Sequence, residues 1–237
     1  MSKIALIIQA RMSSKRLPGK MLMNIADIPL YKYVIKRCQH VNNIHEIILA
    51  TSTDVSDNQL AEIAINEGFK VFRGDLNNVL ARYIACAKTI EAETIIRVCG
   101  DSPFVDVKTI DILLTRFFRK NLDYISLQKV HCVKGLDSEI IRLSALQRSH
   151  DQSKHPDNLE HVSHYIRKNI KNFKTEFLDM SLDPFDGRIS LTIDTDKDLA
   201  FCNVIANALA NRFGSNRFDF VSNDIFRIIK EIHNDHM

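Results

Sequence analysis

Four cations crowd into ten residues near the start of the chain: Arg11, Lys15, Arg16 and Lys20, within Gln9-Ala10-Arg11-Met12-Ser13-Ser14-Lys15-Arg16-Leu17-Pro18-Gly19-Lys20. Such a cluster can surround a polyphosphate, arginine giving forked hydrogen bonds and lysine a compact charge. A solvated basic loop would look the same by composition. Position favours the anion site, because the run follows a short apolar stretch and carries a Pro18-Gly19 turn between two cations. Two carboxylates stand in comparable places: Asp101 after Thr94–Cys99 and Gly100, and Asp194 after the apolar Ile189–Ile193. Such a pair can hold Mg²⁺, which takes one or two protein carboxylates together with phosphate oxygens and water. Asp194 equally suits the N-cap of a helix beginning near Asp196. Asp194-Thr195-Asp196 also has the DxD form of glycosyltransferase metal motifs. His150, His155, His161 and His164 lie close in sequence, with His161 and His164 placed to share a helix face. No cysteine or fixed ligand spacing accompanies them, so zinc is not expected.

These residues fall where strand–helix units would put them. Lys3–Gln9 is a near-continuous apolar run, the pattern of a strand buried on both faces of a parallel sheet. Helical spacing follows at Leu30, Tyr33, Val34, Arg37, Cys38 and Val41. Glu46–Thr51, Phe69–Arg73 and Thr94–Cys99 read as further strands. They alternate with helices over Asp57–Glu67, with Asp54 or Ser56 as N-cap and Gly68 closing it, over Asn77–Ile90, and over about Val107 to Lys120. Four units in a row predict a doubly wound, mostly parallel α/β sheet with right-handed crossovers. Ligands of such sheets bind outside the carboxyl ends of the strands, where Gln9–Lys20, Thr51–Asp54, Arg73–Asp75 and Gly100–Pro103 are gathered. Beyond residue 120, Asp123–Leu127, Ser138–Leu143, Phe173–Leu178 and Ile189–Ile193 are strand-like. Helices are predicted over Asn158–Lys168, Asp196–Arg212 and about Asn223 to His233. The stretch from about 124 to 188 reads as an insertion or subdomain, after which the chain returns to the main fold.

Composition narrows the function classes. Seven glycines in 237 residues, about 3% against a usual 7%, with no two close together, exclude the glycine-rich dinucleotide fingerprint and the P-loop. A net charge of +3 and a pI near 8.5 are too mild for a nucleic-acid binder. Five scattered cysteines without a CxxC predict a reducing, cytoplasmic setting without disulfides. No apolar run is long enough for a membrane span.

The motifs together resemble those of the cytidylyltransferases that activate acidic sugars, the CMP-Kdo and CMP-sialic acid synthetases, and within them the SpsF-like spore-coat polysaccharide branch. The resemblance runs in order through Ile7–Lys20, Val71–Asp75, Val79–Tyr83, Arg97–Pro103, Gly135–Glu139, Glu160–Ser163 and Leu191–Asp198. It departs from the pattern at Asp196-Lys197, where the family usually has Pro-Glu, and at Phe104, where it usually has Leu. The resemblance implies one nucleotidyltransferase domain over residues 1–237, of the nucleotide-diphospho-sugar transferase type. The 124–188 segment would supply the sugar pocket and a homodimer interface. It implies transfer of CMP from CTP to an acidic sugar with release of pyrophosphate; Arg and His residues of the 124–188 region, which could meet a carboxylate, point to a nonulosonic acid. Arg11, Lys20 and Asp101 would be catalytic. Ala10, Arg11, Ser13, Arg16, Lys20, Thr51, Arg73 and Arg97 would hold the nucleotide, Ala10 through its backbone and Arg73 near the base. Asp137, Glu139, Glu160 and His161 would meet the sugar, with Glu160 and His161 also suited to a subunit interface. Asp101 and Asp194 would hold Mg²⁺. Nucleotide transfer to a sugar phosphate or phosphonate, glycosyl transfer through the DxD-like motif, and non-catalytic binding are the competing readings.

Overall fold

The computed structural model describes residues 3–128, 132–152, 155–180, 182, 184, 185 and 187–234. In chain order its elements are β1 (Ile4–Gln9), a short hairpin of β2 (Asn24–Ile25) and β3 (Ile28–Pro29), and α1 (Leu30–Cys38). Then come β4 (Glu46–Ser52), α2 (Asn58–Asn66), β5 (Val71–Gly74), α3 (Val79–Thr89), β6 (Thr94–Cys99) and α4 (Val107–Arg119). The second half adds β7 (Tyr124–Leu127), β8 (Glu139–Arg142), α5 (Leu143–Gln152), α6 (Pro156–Glu160), α7 (His164–Lys168), β9 (Thr175–Leu178), α8 (Asp196–Phe213) and α9 (Ser222–Asn234).

The main sheet has the order β5-β4-β1-β6-β8-β7-β9. Its first four strands are parallel, β8 runs antiparallel to both β6 and β7, and β9 returns parallel to β7. The expected mostly parallel sheet flanked by helices is therefore the architecture found. β1 is apolar from Ile4 to Ile8 because both faces are covered. Ile4, Leu6 and Ile8 pack under α1, α4, α8 and α9, while Ala5 and Ile7 pack under α3 and α5. The chain leaves β1 toward β4 and β5, then returns on the other side through β6, so the carboxyl ends of β1 and β6 flank the reversal of strand order. That reversal opens the crevice in which ligands of such sheets bind. The crevice is kept narrow at Gly100, whose N–H donates to the Gln9 carbonyl at 2.8 Å. A Cβ there would lie 2.8 Å from the same oxygen.

Three details differ from the sequence reading. The 124–188 segment contributes β7, β8 and β9 to the main sheet as its far edge, joined to β6 by the antiparallel β8. Ile189–Ile193 is not a strand: Ser190 makes only an isolated bridge to Lys134. Its apolar character comes from Leu191 and Ile193, both fully buried beneath the crevice. The helix expected over Asn158–Lys168 is two short helices, α6 and α7, broken where His161 turns to an extended backbone. The break lets the Ser163 hydroxyl reach Glu139 at 2.7 Å.

Candidate active site

The first loop is built to hold its cations in place. The Met12 carbonyl accepts from Ser14 and Gly19, at 2.9 and 3.0 Å. Leu17 and Met21 are buried beneath the loop as anchors. The Met12 N–H donates to Asp57 Oδ1 at 2.7 Å, and the Ser52 N–H donates to Asp57 Oδ2 at 2.9 Å. The fully buried Asp57 carboxylate thus ties the loop to the end of β4. In the sequence Asp57 reads only as the first residue of the helix that follows β4.

The loop then brings Lys20 into the crevice, where it is almost fully buried. Its Nζ donates to Ile193 O at 2.6 Å and Asp101 Oδ2 at 2.8 Å, and reaches Asp194 Oδ1 at 3.3 Å. The two carboxylates expected to act as a pair therefore converge on one cation position. On its other oxygen, Asp194 meets Arg16 at 2.9 Å and Lys134 at 3.3 Å. Burial pushes its pKa upward, but the Lys20 and Lys134 ammonium groups outweigh that and hold it below the ordinary carboxylate value. Asp194 is not the cap of α8. Thr195 caps it, accepting from the Asp198 N–H, and Asp198 completes a capping box. That leaves Asp194 facing the crevice, while Asp196 is exposed in the first turn of the helix.

Two clefts meet at this pair. One, of about 290 Å³, is lined by Gln9, Ala10, Arg11, Ser14, Lys15, Arg16, Lys20 and Met21. The other, of about 520 Å³, is lined by Arg97, Ser102, Cys132, Lys134, Asp137, Glu139 and Thr192. Cys99, Asp101 and Asp194 belong to both walls. Burial pushes the Cys99 thiol up to about 11, so it stands there as a neutral group. The first cleft is cationic and fits a polyphosphate; the second is polar and mixed in charge. Two carboxylates converging on one cation position, beside a phosphate-sized cationic cleft, suit a magnesium ion that completes its shell with phosphate oxygens and water.

The expected nucleotide residues divide in two. Ala10, Arg11, Arg16 and Lys20 line the first cleft, although the Ala10 N–H is already donated to Ala50 O at 3.1 Å. Arg11 reaches across to Glu160 at 3.2 Å, joining the first loop to the end of α6. Ser13 is exposed, and Thr51 is fully buried within the sheet; neither lines the cleft. Arg73 is held by Ser52 O at 2.8 Å, Asp54 O at 3.0 Å and Asn58 Oδ1 at 2.7 Å, so its guanidinium braces the β4–α2 turn. Arg97 belongs to the second cleft, where it donates to Glu139 Oε2 at 2.7 Å and Gln9 Oε1 at 3.2 Å. Of the expected sugar residues, Asp137 and Glu139 line that cleft. Glu160 is the partner of Arg11, and His161 is exposed with its ring 6.1 Å from that of His164.

Two cations had no role in the sequence reading. Arg82 on α3 is 1% exposed, and its Nη1 donates to Asp75 O at 2.9 Å. Its Nε and Nη2 have no acceptor among the described residues. Burial lowers its pKa, and the nearby Arg11 charge acts in the same direction. A charged residue inside an apolar helical pattern was the signal available. Lys134 is fixed by Gly135, whose φ of +99° and closeness to Leu191 exclude a side chain, and by the Leu191 N–H donated to its carbonyl at 2.8 Å.

Comparison with known proteins agrees with this arrangement. The cytidylyltransferase family model matches residues 5–225. The spore coat polysaccharide biosynthesis protein SpsF of Bacillus subtilis is 32% identical over 84% of each chain. A 3-deoxy-manno-octulosonate cytidylyltransferase of Escherichia coli is 32% identical over 48% of this chain and 46% of its own. The solved structure of a cytidylyltransferase from Leptospira borgpetersenii superposes with a TM-score of 0.88 at 28% identity, covering 99% of this chain and 96% of that one. The family match spans the cationic loop, the acidic pair and both clefts, which sets aside the glycosyltransferase and non-catalytic readings: the chain belongs to the cytidylyltransferase family and is a CTP-dependent nucleotidyltransferase.

Proposed function

We propose that the chain transfers CMP from CTP to an acidic sugar whose carboxylate neighbours the attacking hydroxyl, a nonulosonic acid, with release of pyrophosphate, in the synthesis of a surface polysaccharide. The observation that carries this reading is the shared wall: Asp101 and Asp194 stand between a cationic cleft and a second cleft into which Lys134 projects. CTP lies with its phosphates among Arg11, Lys15, Arg16 and Lys20, and the acceptor enters from the side of Lys134. The sugar hydroxyl oxygen attacks the α-phosphorus, the bond from that phosphorus to the α–β bridging oxygen breaks in line with its electron pair leaving on pyrophosphate, and the hydroxyl proton passes to solvent water. Pyrophosphate leaves with its charge met by Arg11 and Arg16.

The chain's work is positioning and charge neutralisation. When bound by Asp101 and Asp194, Mg²⁺ supplies charge to the α-phosphate and acidifies the attacking hydroxyl. A 2-keto sugar acid carries its anomeric hydroxyl and carboxylate on adjacent carbons, so a cation close to the metal carboxylates suits it. Lys134 has that place, with the Arg97–Glu139 pair behind it holding the pocket floor.

The test is pyrophosphate release with each of the four nucleoside triphosphates against a panel of 3-deoxy-manno-octulosonate, N-acetylneuraminate, sugar 1-phosphates and phosphonates. Turnover confined to CTP and a sugar acid is the expected result. A preference for a sugar phosphate or phosphonate would overturn the acceptor assignment.

A further inference from the structure

Lys20 has no donor left for a phosphate. An ammonium group offers three N–H bonds, and those of Lys20 face Ile193 O at 2.6 Å, Asp101 Oδ2 at 2.8 Å and Asp194 Oδ1 at 3.3 Å. The residue is 6% exposed, so water does not share this shell to any extent. The second oxygen of Asp194 is engaged as well, by Arg16 and Lys134. The carboxylate pair is thus already neutralised from within the chain.

We infer that Lys20 is the resident cation of this pair, and that a divalent metal gains the site only when nucleotide phosphates draw the ammonium away. The inference rests on the proposed reading of Asp101 and Asp194 as the metal carboxylates. A divalent ion placed between them would stand within a few ångströms of a buried like charge, where repulsion is several times stronger than in water. Mg²⁺ also gives up its own water reluctantly, so the bare ion has little with which to displace the lysine. A triphosphate changes the balance. It brings negative charge into the cleft beside Arg11, Lys15 and Arg16, and the flexible four-carbon stem of lysine lets its charge follow a new partner. One movement then opens the metal position and places a cation on the phosphates. Lys20 is in this sense a positioning residue that keeps metal loading tied to nucleotide loading.

The experiment uses Mn²⁺ as the probe, with the full chain and no nucleotide, reading bound against free ion by electron paramagnetic resonance at fixed ionic strength. Wild type should bind weakly. Lys20→Met should bind about tenfold more tightly or better, because the like charge is gone while both acids remain. Lys20→Gln, which keeps a donor for Ile193 O, should move in the same direction and serves if Lys20→Met does not fold. Lys20→Arg should remain weak. Adding Asp101→Asn or Asp194→Asn to either neutral variant should erase the gain. Equal affinity in wild type and the neutral variants would overturn the inference, as would a gain that survives Asp101→Asn or Asp194→Asn. Nucleotide turnover by wild type is scored separately. Its absence would sink the proposed function, whereas the metal titration alone decides the role of Lys20.

Discussion

Arg97 and Glu139 face each other across the antiparallel junction of β6 and β8, as register partners joined by a 2.7 Å ion pair. This pair joins the parallel half of the sheet, which carries the first cleft, to the edge that carries the second. Glu139 also accepts from Tyr124 at 2.8 Å and Ser163 at 2.7 Å, so four segments meet at one buried carboxylate. Burial by itself would raise its pKa; the Arg97 charge and the two hydroxyls reverse that and hold it at about 2.

Because the folded-state pKa of Glu139 is depressed, its contribution to stability is complete above the unfolded carboxylate value near 4.5 and is lost as pH falls toward 2. Glu139→Gln should flatten the acid limb of a plot of melting temperature against pH over that interval. Arg97→Met, which takes the nearest cation from the buried carboxylate and leaves Arg167 3.8 Å away, should be the harsher change, costing about 3 kcal/mol in denaturant unfolding. An acid limb identical in Glu139→Gln and wild type would show that the pair does not govern acid stability.

Asp101 sits on the wall common to both clefts, and its side chain remains partly exposed. Asp101→Ala should lower CTP turnover by at least about 100-fold, the scale of a lost electrostatic group at a reacting phosphorus, with the circular dichroism melt preserved. Near-normal kcat would remove Asp101 from the mechanism.

Arg82 predicts opposite effects on stability and binding. A buried guanidinium with two nitrogens, Nε and Nη2, that find no acceptor among the described residues is costly to fold, and cytosine offers two adjacent acceptors, O2 and N3. Arg82→Met should leave the melting temperature unchanged or raised, while weakening CTP binding in calorimetry by about tenfold, the loss of a charge-assisted bond. Tight CTP binding in this variant would assign Arg82 to structure alone.

Lys134 lines only the second cleft. Lys134→Glu should raise the KM for the acid acceptor by about tenfold or more, and by a larger factor than the KM for CTP, which it reaches only through Asp194, 3.3 Å away. Initial-rate kinetics with each substrate varied in turn provide the readout. Equal effects on both substrates would place Lys134 at the phosphates instead.

The parallel half of the fold was legible in the sequence because burial on both faces leaves an unmistakable mark, as in β1 and β6, whose predicted spans agree within one residue. Ile189–Ile193 misled for the same reason: a buried coil is as apolar as a strand, and only its partner tells them apart. In the site, proximity to a strand end was readable, but the direction of a side chain was not. Thr51 and Arg73 are register partners at the ends of β4 and β5, yet Thr51 is enclosed within the sheet and Arg73 is captured by the Ser52 and Asp54 carbonyls of the neighbouring β4–α2 turn. Lys134 gains its meaning from Asp194, 60 positions away, a contact that no local pattern encodes. Asp194 itself was undecided between cap and ligand until Thr195 took the cap.

On the proposed reading, the two clefts that share Asp101, Asp194 and Cys99 also set the traffic of the reaction. Substrates that approach a common wall from opposite sides do not queue for one doorway. Neither has to leave before the other arrives, so initial-rate plots should intersect rather than run parallel. Pyrophosphate, which on that reading lies among the cations of the first cleft, should compete with CTP and not with the sugar.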